Sequence, residues 1–307
     1  MGRCIGTALS VLVAVLFGAE KTSAVFEIDA QDARISALGG AGVALAPHAV
    51  AVVLNPASTV GPGDRLVSLT WRKPFSGLGG KAIDGNSLSV GGLAGRWPLS
   101  RTTAAAFSLS YLGADAWSEM IFRAAYARSV GSRLNVGLAT RFSRWSAGTI
   151  GGGDPLSGTS KTLLSADAGL TFDLGQMWSL DGTRLGLVAS DILQPDAGSG
   201  GGGSEPMVLT AGLSTRVGDV DLFLVDVLYE NPMWELRAGA EHRVIARRFQ
   251  WLMRAGFWRV MNGEGFEMNL GLGFSVGGGI IVDYTVGIPL DLTGLGNHHY
   301  ATLGYRW

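Results

Sequence analysis

From Phe266 to Gly277 the chain alternates without a break. Phe266, Met268, Leu270, Leu272, Phe274 and Val276 share one side; Glu267, Asn269, Gly271, Gly273, Ser275 and Gly277 share the other. Successive side chains of an extended strand point to opposite faces, so one face here is wholly apolar and the other polar or bare. A helix of period 3.6 would mix the two sets, so the pattern requires a strand. It also covers the ~9–11 residues that a tilted strand needs to cross a bilayer.

The same alternation recurs along the chain. Leu134, Val136, Leu138 and Phe142 oppose Asn135, Gly137, Arg141 and Ser143. Leu164, Ala166, Ala168, Leu170 and Phe172 oppose Ser165, Asp167, Thr171 and Asp173. Further strands are expected at about 65–74, 87–96, 102–112, 119–129, 184–193, 207–217, 219–229, 234–246, 249–259, 279–287 and 299–307, about fourteen in all. At 219–229 both faces are apolar. Turning Leu222 and Leu224 toward lipid takes Asp226 there too, at about 1–3 kcal/mol, unless a bulge reassigns the face.

The connections alternate in length. Residues 97–101, 130–132, Gly218, 247–248 and Gly277-Gly278 make tight turns, with 174–183 the exception. The others include 75–86, GTIGGGDPLSG from Gly148, QPDAGSGGGGSEP from Gln194 and IPLDLTGLGNH from Ile288. Short periplasmic turns and long extracellular loops are the habit of outer-membrane barrels. Trp71, Trp97, Trp117, Trp145, Trp234 and Trp258, with Tyr111, Tyr284 and Tyr305, fall near strand ends and are expected to form an interfacial aromatic girdle. Residues 63–307 therefore read as an all-β fold, a transmembrane antiparallel β-barrel of about 14 strands.

Fourteen strands enclose more than an eight-stranded barrel, which its own side chains fill. The lumen needs an occupant or it conducts. Residues 25–62 lack a long alternation, are rich in small side chains, and are expected to fold inside as a plug or hatch. Before them, Arg3, the apolar run Ile5–Ala19 and the small residues Thr22-Ser23-Ala24 read as a cleaved signal peptide over 1–24 that exports the chain through the inner membrane, with the bacterial outer membrane as the expected destination. The single cysteine, Cys4, belongs to that leader, so no disulfide or thiol chemistry is expected after its removal.

Charged residues are 16% of the chain and the net charge is −1, so no basic field exists to draw in nucleic acid. His48, His242, His298 and His299 show no metal-ligand spacing, and the adjacent pair is expected in a solvated loop. No G-x-S-x-G nucleophile motif occurs, and the glycine-rich loops lack the Lys-Ser/Thr of a phosphate cradle. No enzyme activity, cofactor or metal is expected. The lumen-facing charges are expected to be Arg72, Arg123, Arg141, Asp167, Asp173, Arg237, Glu241, Arg254, Glu267 and Asp283, neutralising one another across the interior.

ARISALGGAGVALAPHAVAVVLNPA, with Gly39, Gly40 and Gly42 followed by Asn55, Pro56 and Ala57, resembles the N-terminal motif of the FadL-like outer-membrane transporters and the related PorV/PorQ family. The ending GLGNHHYATLGYRW is similar to the PorV/PorQ C-terminus. PorV/PorQ-type sequences often carry acidic residues where Pro47-His48 stands here. The resemblance implies that Gly39, Gly40, Gly42, Asn55, Pro56 and Ala57 form a hatch or gate. It further implies passive transport of a hydrophobic small-molecule ligand through a barrel embedded in outer-membrane lipid. On the PorV side it implies a non-enzymatic component of a type IX-like secretion system that holds secretion-system proteins. A structural barrel without transport is the third reading.

Overall fold

The computed structural model describes residues 31–78, 88–114, 117–148, 158–177, 180–198, 203–261, 265–277, 279–291 and 296–307. The expected leader at 1–24, and much of the loops at 75–86 and 148–158, lie outside them. Fourteen strands form one closed antiparallel barrel: β1 (Leu66–Lys73), β2 (Ser89–Pro98), β3 (Thr103–Ala114), β4 (Trp117–Val130), β5 (Leu134–Ala147), β6 (Ser160–Met177), β7 (Leu180–Ser190), β8 (Val208–Val217), β9 (Asp221–Glu230), β10 (Met233–Ala246), β11 (Phe249–Val260), β12 (Phe266–Val276), β13 (Ile280–Pro289) and β14 (His298–Arg306). Each pairs with its chain neighbours, and β14 closes on β1 from Leu66↔Arg306 to Lys73↔His299. No described helix is long and apolar enough to cross a membrane.

The alternation sorts as expected. Along β12, Met268, Leu270 and Leu272 are exposed while Glu267, Asn269 and Ser275 are buried. Large apolar side chains face outward on every strand system around the wall, among them Leu69, Leu138, Leu170, Met253 and Leu303. Water would penalise so much contiguous apolar surface, whereas lipid is its natural solvent. The chain is a transmembrane barrel of the outer-membrane type.

β9 resolves differently from the lipid-facing placement of Leu222 and Leu224. Leu222, Leu224 and Asp226 all point inward and are at most 3% exposed, while Phe223, Val225 and Val227 face out. The strand pairs without a slip to β8 and β10, so no bulge is needed. The 174–183 exception also disappears. β6 runs to Met177 and β7 begins at Leu180, with register shifts at Asp173/Gly175 and Gly175/Met177 that break the two-residue period and hide the hairpin from pattern reading. Three members of the expected girdle are elsewhere: Trp145, Trp117 and Trp258 share the inward parity of Arg141, Glu119 and Arg254 on their strands. Trp71, Tyr111, Trp234, Tyr284 and Tyr305 do face outward.

The segment from Asp32 to Val60 carries two short helices, α1 (Ala33–Ala37) and α2 (Ala51–Leu54), then a 3₁₀ turn at Pro56–Thr59. Asp32 caps α1 by accepting the Ile35 N–H at 2.8 Å. Helices this short do not stand alone in water, so packing must hold them. α1 contacts β11 to β14, α2 contacts β3 and β4, and the turn contacts β3 to β6. The segment thus packs against eight of the fourteen strands. Ile35, Leu38, Leu45, Val50 and Leu54 pack against Leu222 and Leu224 from the wall.

Candidate functional site

The lumen combines three arrangements: a docked backbone, a belt of ion pairs, and an apolar patch. The docked backbone rests on a row of inward-facing glycines, one per strand. Gly137 and Gly169 face Asn55-Pro56-Ala57, Gly186 and Gly212 face Val43, and Gly239 and Gly256 face Leu38-Gly39. Side chains at these places would hold the segment off the wall. Gly39 and Gly40 themselves have φ of +68° and +77°, a conformation that suits glycine after a helix end.

Asn55 is fully buried and joins segment to wall. Its Nδ2 donates to Val43 O at 2.9 Å and reaches Leu170 O at 3.1 Å and Leu187 O at 3.4 Å. Its Oδ1 accepts the Ala57 N–H at 3.0 Å, with Pro56 as the first residue of the turn. Leu170 and Leu187 are partners across the β6–β7 ladder, so the amide sits against that seam. Gly42 N–H donates to Asp226 Oδ2 at 2.6 Å and Val43 N–H to the same oxygen at 3.0 Å. All six residues of the expected hatch motif therefore lie in one docked segment.

The expected lumen charges separate into groups. Glu241, Arg254 and Asp283 come together: Arg254 Nε is 2.7 Å from Glu241 Oε2, and its Nη1 is 2.6 Å from Asp283 Oδ1. Arg34 of α1 joins them with a bidentate pair to Glu241 at 2.8 and 3.0 Å. On the opposite wall Arg141 pairs with Asp191, and Arg123 Nε lies 3.7 Å from Asp167 Oδ2. Glu267 is 2.8 Å from His298, and Arg72 stacks over Tyr300 at 4.8 Å. Asp173 stands apart at the end of β6 that lies toward the chain termini, where its Oδ1 takes the Gly175 N–H at 2.8 Å. Arg237 pairs with Glu235.

Several residues of the interior lie outside the expected set of lumen-facing charges. Arg34 and Asp226 sat where no strand parity applied or where parity was ambiguous. Arg96, 1% exposed, donates to the carbonyls of Thr59, Gly61 and Asp64 and so clamps the chain where the segment leads into β1. Its parity with Ala94 on β2 was the available signal. His48 is buried within the segment, its Nδ1 3.0 Å from Ala46 O, and burial lowers its pKa to about 3, so the ring is neutral at ordinary pH. His298 and His299 begin β14 instead of lying in a solvated loop; His298 packs edge-on to Phe75 at 4.6 Å between ring centroids.

The apolar patch lies at the end of the barrel away from the chain termini. Ile121, Trp145, Leu163 and Ala197 cluster there, with Val90 and Leu112 beside them and Trp117 touching both sets. Trp117 and Trp145 stack with ring centroids 5.1 Å apart. Trp145 Nε1 donates to Ala197 O at 2.9 Å, fastening the β7–β8 connection over the rings. Among the described residues, no group of three or more His, Cys, Asp and Glu is placed to hold a metal ion.

No protein-family model and no curated protein sequence matches the chain. Solved structures do match its fold. The CymD monoaromatic hydrocarbon channel has a TM-score of 0.62 at 14% identity, over 90% of this chain and 96% of that one. The Pseudomonas putida toluene transporter TodX has 0.61 at 12%, over 92% and 99%. A Pseudomonas aeruginosa FadL homologue has 0.61 at 11%, over 91% and 98%. The chain thus has the barrel fold of FadL-like channels over 90–92% of its length.

Proposed function

We propose that the chain is a passive channel for hydrophobic small molecules across the bacterial outer membrane, with residues 25–62 as its hatch. The observation that carries this reading is the apolar patch inside the lumen. A barrel interior is ordinarily polar, and here Val90, Leu112, Ile121 and Leu163 surround a tryptophan stack on the inward face. Uncovered when the β7–β8 connection at Ala197 lifts from the rings, such a surface would lower the free energy of an apolar or aromatic solute by sheltering it from water. Below it lie the ion pairs and then the docked segment, so movement of the segment is what would open a path. The fold of the solved channels named above supports the same reading, since two of them are described as carrying monoaromatic hydrocarbons or toluene.

The test is uptake of radiolabelled toluene by cells lacking other hydrocarbon channels, with the folded barrel checked by heat-modifiable migration. Expression of the chain is expected to raise uptake above the empty vector, and Trp145→Ala is expected to cut it several-fold. A folded barrel that gives no uptake refutes the reading. Secretion-system proteins copurifying with such an inactive barrel would instead support the PorV-like alternative, which rests on the motif resemblance.

A further inference from the structure

The outward face carries a second apolar concavity, distinct from the lumen. It is a trough of about 1280 Å³ in the lipid-facing wall between β4 and β10. Two adjacent ladder rows build it. One runs from Tyr126 on β4 through Ala168 and Ala189 to Trp234 on β10; the other starts at Arg128 and includes Ala211. The alanines are the low floor, and the leucines that flank them, Leu138, Leu170, Leu187 and Leu209, are the sides. At the ~4.8 Å spacing of neighbouring strands the rows are about 29 Å long. They climb obliquely, because Arg128 lies near the end of β4 toward the chain termini and Trp234 near the opposite end of β10.

The wall sits low here for a reason already described. Gly137, Gly169, Gly186 and Gly212 bring the strands into contact with the N-terminal segment on the inner side, so the outer side is recessed. An apolar recess in a bilayer is filled by something with flexible hydrocarbon. Its one charge selects the headgroup. Arg128 is exposed on the outward face, and its ladder partners Thr103 and Val136 are uncharged. A guanidinium at the rim of an apolar trough complements a phosphate, with Tyr126 beside it at the depth where amphipathic rings favour the headgroup region.

We propose that this trough is a binding site for one anionic glycerophospholipid, its phosphate on Arg128 and an acyl chain lying over Ala168, Ala189 and Ala211. The site is independent of what crosses the lumen. A second copy of the chain is the other occupant such a recess could take, but an interface between copies would leave Arg128 in an apolar contact without a counter-charge.

The experiment uses the full chain purified in detergent with either phosphatidylglycerol or phosphatidylcholine added, and counts lipids retained per barrel by native mass spectrometry. Wild type is expected to retain one phosphatidylglycerol. Ala189→Trp fills the floor and is expected to retain none. Arg128→Gln is expected to lose about fivefold in phosphatidylglycerol retention, to the phosphatidylcholine level. Heat-modifiable migration confirms that each variant is folded, and Arg128→Gln leaves the trough's shape intact if Ala189→Trp fails to fold. Equal retention by wild type and folded variants overturns the proposal. So does a lipid-independent dimer that Ala189→Trp abolishes, which would assign the trough to a second copy.

Discussion

Replacing Gly169 by alanine is expected to undock the N-terminal segment while leaving the barrel closed. The added Cβ would fall inside the van der Waals envelope of Asn55 Oδ1 and 3.0 Å from both Asn55 Cγ and Pro56 Cδ. β6 is held by ladders on both sides, so the side chain of Asn55 is what must move. Moving it breaks its bonds to Val43, Leu170, Leu187 and Ala57. At about 1 kcal/mol net per hydrogen bond, and with the longest counted as weak, the loss is about 3 kcal/mol. That raises the undocked population on the order of a hundredfold. The assay is maleimide labelling of a reporter Ala49→Cys, a buried position of the segment, in a Cys4→Ser background. Gly91→Ala is the control, because a Cβ there meets nothing within 4 Å. Labelling of Gly169→Ala at the wild-type rate would refute the idea that the glycine row exists to admit the segment.

Three further outcomes follow from the same contacts. Leu224→Ala opens a cavity in the interior cluster and should weaken docking by about 2–5 kcal/mol, whereas Val225→Ala on the lipid face should leave the labelling rate nearly unchanged. Glu241→Gln leaves Arg34 and Arg254 short of their shared carboxylate; denaturant melting should show a loss of about 3–5 kcal/mol, and little change would mean that Asp283 alone compensates both. Docking should also weaken in acid. His48 titrates near 3 when buried and near its ordinary 6.5 when released, so the segment is most stable above pH 6.5 and loses ground as the pH falls from there toward 3. At pH 5 the loss is about 2 kcal/mol. Because only the thiolate reacts, labelling is divided by that of an exposed cysteine at the same pH; the ratio should rise accordingly, and His48→Gln should flatten the curve.

The barrel was legible because its signal is local. A two-residue period with an apolar and a polar face identifies a strand, its sidedness and its approximate ends from a dozen residues, and β12 and β5 needed nothing more. The same parity put Glu241, Arg254 and Asp283 in the lumen. It also contained the position of Trp145, since Arg141, Ser143 and Trp145 share one face, but nearness to a strand end pointed to the girdle instead. Alternation fails where both faces are apolar. β9 has lipid on one side and α1 and α2 on the other, and nothing within Asp221–Glu230 states which leucines meet which.

What the sequence by itself determined is therefore the class of fold, the number of strands, part of the inward charge set and the presence of a segment too irregular to be a strand. Those properties follow from the chemistry of neighbouring residues along the chain. Only the tertiary structure decided what the segment rests on, because Asn55 meets Gly169, Leu170 and Leu187, and Gly42 meets Asp226, across separations of more than a hundred residues. The trough is of the same kind. Its rows run across the strands, not along them, so Arg128, Ala168, Ala189 and Trp234 come to line one trough only once the hydrogen-bond register of seven strands, β4 to β10, is set.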